Sequence, residues 1–431
     1  MKKSYNDILN ETIYKQTLDN GLNLVVLHKE KNVNTSAYLA FPYGSLNINQ
    51  VSENGEKTSF NPGLAHFLEH KLFENHNGMD VMERFSELSC NVNAFTSYNE
   101  TVYYFNTARQ DITEPLELLL DFVQELNITE ASVEKEKKII IQELHMYHQM
   151  PESRLMYETF QALYHHHPVK YDIGGSDDSV MAITKDELEQ CYRLNYHPGK
   201  SILVIVTSQD PESICEMVQA NQSKKQFPKP VKLTDVKAEE PDEVVVREKI
   251  VPMDIQSSKM TYAFKLKPKA MSELESATLE WQLKIGMELL FSSLNPDYEN
   301  WIRSGLIHDY FGYDIEINTD YWYAMFYGET EDKDAFTGLI DRVLASDIRP
   351  LLPFLKQLKR RYLSYTYRLL DDQDDYAVHY LRNAFFHLSI EDTIRIINEL
   401  SEQSVLKAME TLKTDHKTVV IIQKAQTGQN D

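Results

Sequence analysis

The segment 61–74 reads N-P-G-L-A-H-F-L-E-H-K-L-F-E and holds the residue types of a metal-dependent hydrolase. On a helix, His66 and His70 are four residues apart and share one face, so both imidazoles can bind one metal ion. With Glu69 they form the pattern H-x-x-E-H. This is the inverted zincin motif, in which two histidines bind zinc and the glutamate handles the proton of the attacking water.

The element that must present these side chains is a helix beginning near residue 61. Asn61 has the side chain of a helix cap and Pro62 suits the first helical position, so we predict that the helix starts there. A solvated surface helix with no metal is the alternative. It is disfavoured because apolar residues that predict a buried helix surround the histidines. These are Leu64, Ala65, Phe67, Leu68, Leu72 and Phe73.

A second helix, predicted at 130–149, offers a further metal ligand. Zinc that is held by two histidines needs a third protein ligand, and a carboxylate is a common one. Glu136 and Glu143 are seven residues apart and therefore share a helix face, so either could serve. The alternative for both is a solvated surface in which they pair with the neighbouring lysines.

Other histidines fit a metal site less well. The run 165–167 consists of three histidines whose side chains point in different directions, and Pro168 follows, so we predict a loop. His145 and His148 are offset from Glu143 by two and five residues, which directs them away from its helix face. We interpret them as structural.

Composition limits the classes of function. The 431 residues exceed what one hydrophobic core usually organises, which favours two domains. The net charge of −22 argues against nucleic acid and anionic membranes as partners. Apolar runs such as 202–206 are too short to span a bilayer, and the N-terminal residues show no signal peptide. With three widely spaced cysteines, Cys90, Cys191 and Cys215, we expect a cytoplasmic, reduced protein.

Element order predicts a duplicated α+β fold. Residues 1–220 read as a strand pair, the histidine helix, a hairpin, helices and a final strand. The charged, proline-containing segment 221–243 reads as a linker. Residues 244–431 repeat the order, but their first helix carries L-E-W-Q-L-K-I at 279–285 and has no histidine. We therefore expect an N-terminal domain with the metal and a homologous C-terminal domain without it.

These features together resemble the pitrilysin family of zinc peptidases, which includes insulin-degrading enzyme and the mitochondrial processing peptidase. The resemblance covers essentially the whole chain and is strongest to zinc-bearing subunits of bacterial members that are encoded in pairs. It is carried by 64–73 and 133–143, by N-A-F-T at 93–96 and by Y-H-P at 196–198. It implies antiparallel-rich sheets packed against helices, in two domains that form half of a clam-shell chamber.

For the metal site, the resemblance implies that His66, His70 and Glu143 bind one Zn²⁺ per chain. It makes Glu69 the general base and Glu136 a second carboxylate that orients the site. The separation between His70 and Glu143 is slightly shorter than the family pattern, a difference that a loop can absorb.

For substrate binding, the resemblance places Asn93 and Ala94 on an edge strand that receives a peptide as an added strand, which suits an extended chain. It also implies an Arg/Tyr pair in the second half. Arg303 and Tyr310 have the expected separation of seven residues, but the residues between them depart from the family pattern. Tyr313 is an equally placed competitor. The alternative roles are a helix-end contact for the arginine and a strand-face aromatic for the tyrosine.

The resemblance therefore implies a zinc-dependent endopeptidase that hydrolyses short unfolded peptides or processes a peptide precursor. A closed chamber would need a second chain, which is a homologue lacking H-x-x-E-H or a second copy of this one. Two alternatives stay open: a non-catalytic structural member of the same fold, and a protein that binds peptide or metal without hydrolysis. We expect neither a nucleic acid nor a membrane as partner.

Overall fold

The computed structural model describes residues 1–6, 8–9, 11–31, 33–74 and 80–425. The strands are β1 (Lys2–Asn6), β2 (Glu11–Thr17), β3 (Asn23–His28), β4 (Thr35–Phe41), β5 (Asn49–Ser52), β6 (Lys57–Ser59), β7 (Cys90–Thr96), β8 (Thr101–Thr107), β9 (Ile202–Thr207), β10 (Leu233–Asp235), β11 (Glu248–Met253), β12 (Lys259–Leu266), β13 (Gly312–Ile317), β14 (Trp322–Glu329) and β15 (Lys417–Lys424). The helices are α1 (Leu64–Leu72), α2 (Val81–Glu87), α3 (Thr113–Val123), α4 (Glu130–His148), α5 (Pro151–Leu163), α6 (Asp177–Ala182), α7 (Lys185–Asn195), α8 (Pro211–Gln222), α9 (Glu273–Leu290), α10 (Tyr298–Arg303), α11 (Lys333–Leu344), α12 (Leu355–Leu369), α13 (Gln373–Phe385), α14 (Ile390–Glu399) and α15 (Glu402–Met409).

The chain folds into two compact units that are not continuous in sequence. The first contains 1–144, 171–236 and 367–386, and the second contains 145–170, 237–366 and 387–431. Two segments therefore belong to a different unit from the one that the predicted division at 220 and 244 would give them, namely 145–170 and 367–386. The helix α5 belongs to the second unit, and α13 belongs to the first. The limits of the homologous domains remain a prediction.

In the first unit, the main sheet has the strand order β1-β2-β3-β9-β4-β8-β7. The pair β3–β9 is parallel and the other neighbours are antiparallel. The central strands β4 and β9 are buried along nearly their whole length, which explains their continuous apolar sequences. β7 lies at the edge. A smaller sheet, β10-β5-β6, takes its first strand from the predicted linker, so part of 221–243 is regular structure.

Helices cover both faces of this sheet. On one face, a large apolar core joins β4 and β8 to α1 and α3. On the other face, α13 packs against β4 and β9, and Asp374 accepts hydrogen bonds from Ser36 (2.7 Å) and Asn106 (2.8 Å). A segment from late in the chain thus completes the unit that carries H-x-x-E-H.

The second unit has the sheet order β11-β15-β12-β14-β13. This matches β3-β9-β4-β8-β7 strand for strand, with the parallel pair in the same place and antiparallel pairs elsewhere. The helix α9 is the first helix after β12, as α1 is the first helix after β4, and Ser272 caps α9 in a capping box with Glu275. The predicted α+β duplication is confirmed.

The three-histidine run is a loop, as predicted. Its three backbone N–H groups, from His165, His166 and His167, donate to the carboxylate of Glu240 at 2.7–2.8 Å. These bonds, with that of Lys265 to the same carboxylate (2.5 Å), bring the pKa of Glu240 down to about 2, although burial opposes the shift.

In the described part of the chain, no helix combines the length and apolar character that a membrane span requires.

Candidate metal centre

The helix that carries the motif begins two residues later than predicted. Gly63 is its N-cap residue, with φ of +92°, and makes no side-chain cap. Asn61 instead bonds to the carboxylate of Glu187, so the prediction that Asn61 caps the helix was wrong. A Cβ at position 63 would lie 2.4 Å from the carbonyl oxygen of Gly174. Close backbone packing, rather than a polar cap, therefore sets the start of α1.

Side chains from α1 and α4 converge on one point. A carboxylate oxygen of Glu143 lies 3.8 Å from Nε2 of His66 and 3.4 Å from Nε2 of His70. One potential ligand atom of each side chain lies within 4.8 Å of those of the other two. Tetrahedral ligands about 2.0–2.1 Å from zinc are themselves about 3.3 Å apart. The donor set and its spacing fit a two-histidine, one-carboxylate zinc site.

Glu136 lies behind this cluster. Its carboxylate is 3.0 Å from Nδ1 of His70, which leaves Nε2 of that ring directed at Glu143. Burial lowers the pKa of His70, but the hydrogen bonds with Glu136 and Glu143 outweigh it and raise the pKa to about 9. The same contact with His70 lowers the pKa of Glu136. A metal that binds Nε2 must therefore displace a proton from His70 at neutral pH.

His66 has a different environment. Burial and the neighbouring His70 lower the pKa of His66 to about 4, so its ring is neutral at pH 7 and can ligate metal. Its Nδ1 is buried and has no hydrogen-bond partner within the described residues. The two histidines of the motif are thus prepared for a metal in different ways.

Glu69 lies beside the cluster, and Thr96 on β7 orients it. The threonine hydroxyl donates to Glu69 at 2.7 Å, and burial raises the pKa of the glutamate. Burial is the larger effect and favours proton acceptance, whereas the hydrogen bond from Thr96 opposes the rise in pKa and orients the carboxylate. Thr96 received no role from sequence alone. The one available signal was the family resemblance, which places Asn93 and Ala94 on an edge strand where Thr96 and Ala94 share a face.

The other predicted substrate contacts are divided between the two units. Asn93 and Ala94 lie on the edge strand β7 of the first unit, and the Ala94 N–H donates to the side chain of Asn93 at 2.8 Å. In the second unit, Arg303 bonds within α10 to Asn300 at 2.8 Å. The ring of Tyr310 lies 4.2 Å from Nζ of Lys259.

Neither member of the predicted Arg/Tyr pair hydrogen-bonds the other in the described part of the chain. The competitor, Tyr313, donates its hydroxyl to the carboxylate of Glu288 at 2.7 Å. The helix-end contact of Arg303 matches the alternative role given to it, whereas Tyr310 lies in the turn before β13 and not on a strand. Their part in substrate binding remains a prediction.

Comparison with known proteins gives the family. The model described as Insulinase (Peptidase family M16) matches residues 25–177, and Peptidase M16 inactive domain matches 182–346. A protein of Bacillus subtilis (strain 168) named Uncharacterized zinc protease YmfH is 33% identical over 414 residues, 95% of this chain and 96% of that protein.

Solved structures agree with this assignment. An M16-like peptidase from Alicyclobacillus acidocaldarius superposes with a TM-score of 0.87 at 28% identity, covering 96% of this chain and 98% of that one. A protease from Helicobacter pylori has the same fold, with a TM-score of 0.79 at 18% identity and coverage of 96% and 99%. The chain therefore belongs to peptidase family M16, the insulinase or pitrilysin family, whose members include proteins named zinc proteases.

Proposed function

We propose that this chain is a zinc-dependent endopeptidase that binds one Zn²⁺ through His66, His70 and Glu143. The observation that carries the proposal is their convergence from two helices, with Glu69 on α1 beside them. Glu136 holds the ring of His70 in the orientation that ligation requires. The zinc-protease names of relatives support the same metal.

The chemistry assigned to the side chains follows from their contacts. When present, zinc supplies a Lewis acid that polarises carbonyl groups and makes water more acidic. Glu69 accepts the proton of the attacking water and returns it to the leaving amine. The Thr96 hydroxyl donates a hydrogen bond to one carboxylate oxygen of Glu69, which leaves the other oxygen to accept the proton. Burial raises the pKa of Glu69, which strengthens its carboxylate as a base.

The proposed substrates are short unfolded peptides or a peptide precursor. An extended peptide would pair with β7 along Asn93 and Ala94, whose strand has one neighbour, β8, within the described sheet. The proposed partner is a homologous subunit without H-x-x-E-H, or a second copy of this chain. Free, buried cysteines at 90, 191 and 215 are compatible with the cytoplasmic location that we propose.

The test compares wild-type protein with Glu69→Gln for bound zinc and for peptide cleavage, followed by mass spectrometry, alone and with the homologous subunit. We expect one zinc per chain in both proteins and a loss of cleavage of about 100-fold or more in Glu69→Gln. Glu83→Gln, at an exposed position of α2, is the matched control and should cleave normally.

Two outcomes would reject the proposal. Zinc without cleavage by any wild-type combination would favour a binding or structural member of the family. Cleavage that persists in Glu69→Gln would remove Glu69 from the role of base.

A further inference from the structure

The helix α13 brings a cation to the edge of the sheet that carries the candidate metal site. It comes from the last fifth of the chain but belongs to the first unit. It crosses the sheet face opposite α1, held by the bonds from Ser36 and Asn106 to Asp374. Two turns further on, Arg382 reaches the β7–β8 turn and donates from Nε to Glu100 at 2.9 Å.

The two faces of β7 have different surroundings. Thr96 and Ala94 point to the face of α1, since Thr96 bonds Glu69 and Ala94 packs against the core. Side chains alternate along a strand, so Phe95 points to the face of α13. Its ring makes an edge contact with Tyr104 at 6.5 Å, and the Arg382 guanidinium lies 5.9 Å from its centre.

The ion pair with Glu100 fixes Arg382 without using all of its donors. The Glu100 side chain is 4% exposed and that of Arg382 is 51% exposed, so the carboxylate is buried and the guanidinium faces water. The terminal nitrogens of Arg382 have no acceptor within the described residues. A planar fork with unused N–H donors is suited to a second carboxylate.

A peptide that pairs with β7 presents alternate side chains to the two faces. The peptide strand lies about 4.8 Å from β7. One set of its side chains faces Glu69, and the side chains of the alternate residues lie beside Phe95. We propose that Arg382 is a specificity-determining residue that selects an acidic side chain at this peptide position, with Phe95 packing against its methylenes. This role rests on the proposed peptidase function and gives it a substrate class, acidic peptides.

The test uses peptide sets that are identical except for Glu, Gln or Lys at one position, scanned from two residues before to two residues after the cleaved bond. At one position, wild-type protein should show a kcat/KM about fivefold higher for Glu than for Lys. Arg382→Gln, which can still donate to Glu100, should remove this ratio, and Arg382→Lys should retain part of it. Arg395→Gln is the matched control, because Arg395 is also 51% exposed and ion-paired.

The ratio separates specificity from damage to the fold, since a structural defect lowers cleavage of every peptide in the set alike. Equal Glu/Lys ratios in wild-type protein and Arg382→Gln would overturn the inference and leave the proposed function intact. Binding of labelled peptides to zinc-loaded Glu69→Gln, with and without Arg382→Gln, gives the second readout. If wild-type protein cleaves none of the peptides, charge-selective binding that depends on Arg382 would reject the proposed peptidase and keep the acidic-peptide site.

Discussion

His66 and His70 differ in what their second ring nitrogen contacts. Nδ1 of His70 meets Glu136, while Nδ1 of His66 is buried without a partner in the described residues. A carboxylate behind a ligating histidine fixes the ring and makes it a stronger ligand. In the proposed zinc site, Glu136 would therefore act on the metal through His70. This explains why two glutamates with the same helical phase have different places in the site.

Replacing Glu136 by Gln should weaken zinc binding by about 10- to 100-fold, because His70 loses its ionic partner while all three ligands remain. Competition with a zinc-binding dye measures the affinity. Glu134→Gln on the same helix is the control, since its side chain is 59% exposed and pairs with Lys137. Unchanged affinity in Glu136→Gln would mean that His70 holds its orientation without this contact.

At the scale of elements, the start of α1 depends on a backbone contact. Gly63 adopts a left-handed conformation, and the space that its Cβ would need is occupied by the loop 172–175. This loop packs directly beneath the helix that carries both histidines. The position of the two histidines is thus coupled to a segment more than a hundred residues away in sequence.

Gly63→Ala should lower the free energy of unfolding by about 2–3 kcal/mol, since it adds a clash with Gly174 to the cost of a left-handed alanine. Gly55→Ala is the matched control, with φ of +82° and no atom within 4 Å of the added Cβ, and should cost about 1 kcal/mol. Chemical denaturation measures both. Equal losses in the two variants would show that the contact with Gly174 relaxes freely.

At the scale of the whole molecule, the two units share the order of five sheet strands, yet the first helices after the central strands carry different side chains. On α9, Glu280 and Lys284 are four residues apart and form an ion pair, and this is the same spacing at which α1 carries its two histidines. Glu280 also accepts a bond from the backbone of Ile317 on β13. The lysine and the glutamate neutralise each other's charge, and the pair does not provide the ligands that a zinc site requires.

Zinc should therefore stabilise the first unit selectively. On adding zinc to metal-free protein, we expect slower amide hydrogen exchange in α1 and α4 and no change in α9, read by mass spectrometry of proteolytic fragments. His66→Ala should abolish the protection. Protection of α9 to the same extent, or a second zinc that survives in His66→Ala, would contradict a single site in the first unit.

Much of the fold could be predicted from the sequence because its signals are local. The helix over the motif, the helix predicted at 130–149 and the loop at 165–167 follow from the spacing of apolar residues and from the position of proline. The helix α5 and the strand β10 were missed. The first directly follows α4 across Gln149 and Met150, and the second is three residues long and exists through its pairing with β5.

Part of the candidate metal site could also be predicted from a short stretch of sequence. H-x-x-E-H places two imidazoles and a carboxylate on one helix whatever the rest of the chain does, because helical spacing is fixed. By itself, the sequence left Glu136 and Glu143 equivalent, since they share a face of α4. Packing of α4 against α1 places Glu143 at both imidazoles and Glu136 behind one. The contacts of Thr96 and Arg382 arise from long-range pairing and from the return of α13 to the first sheet, which only the tertiary structure decides.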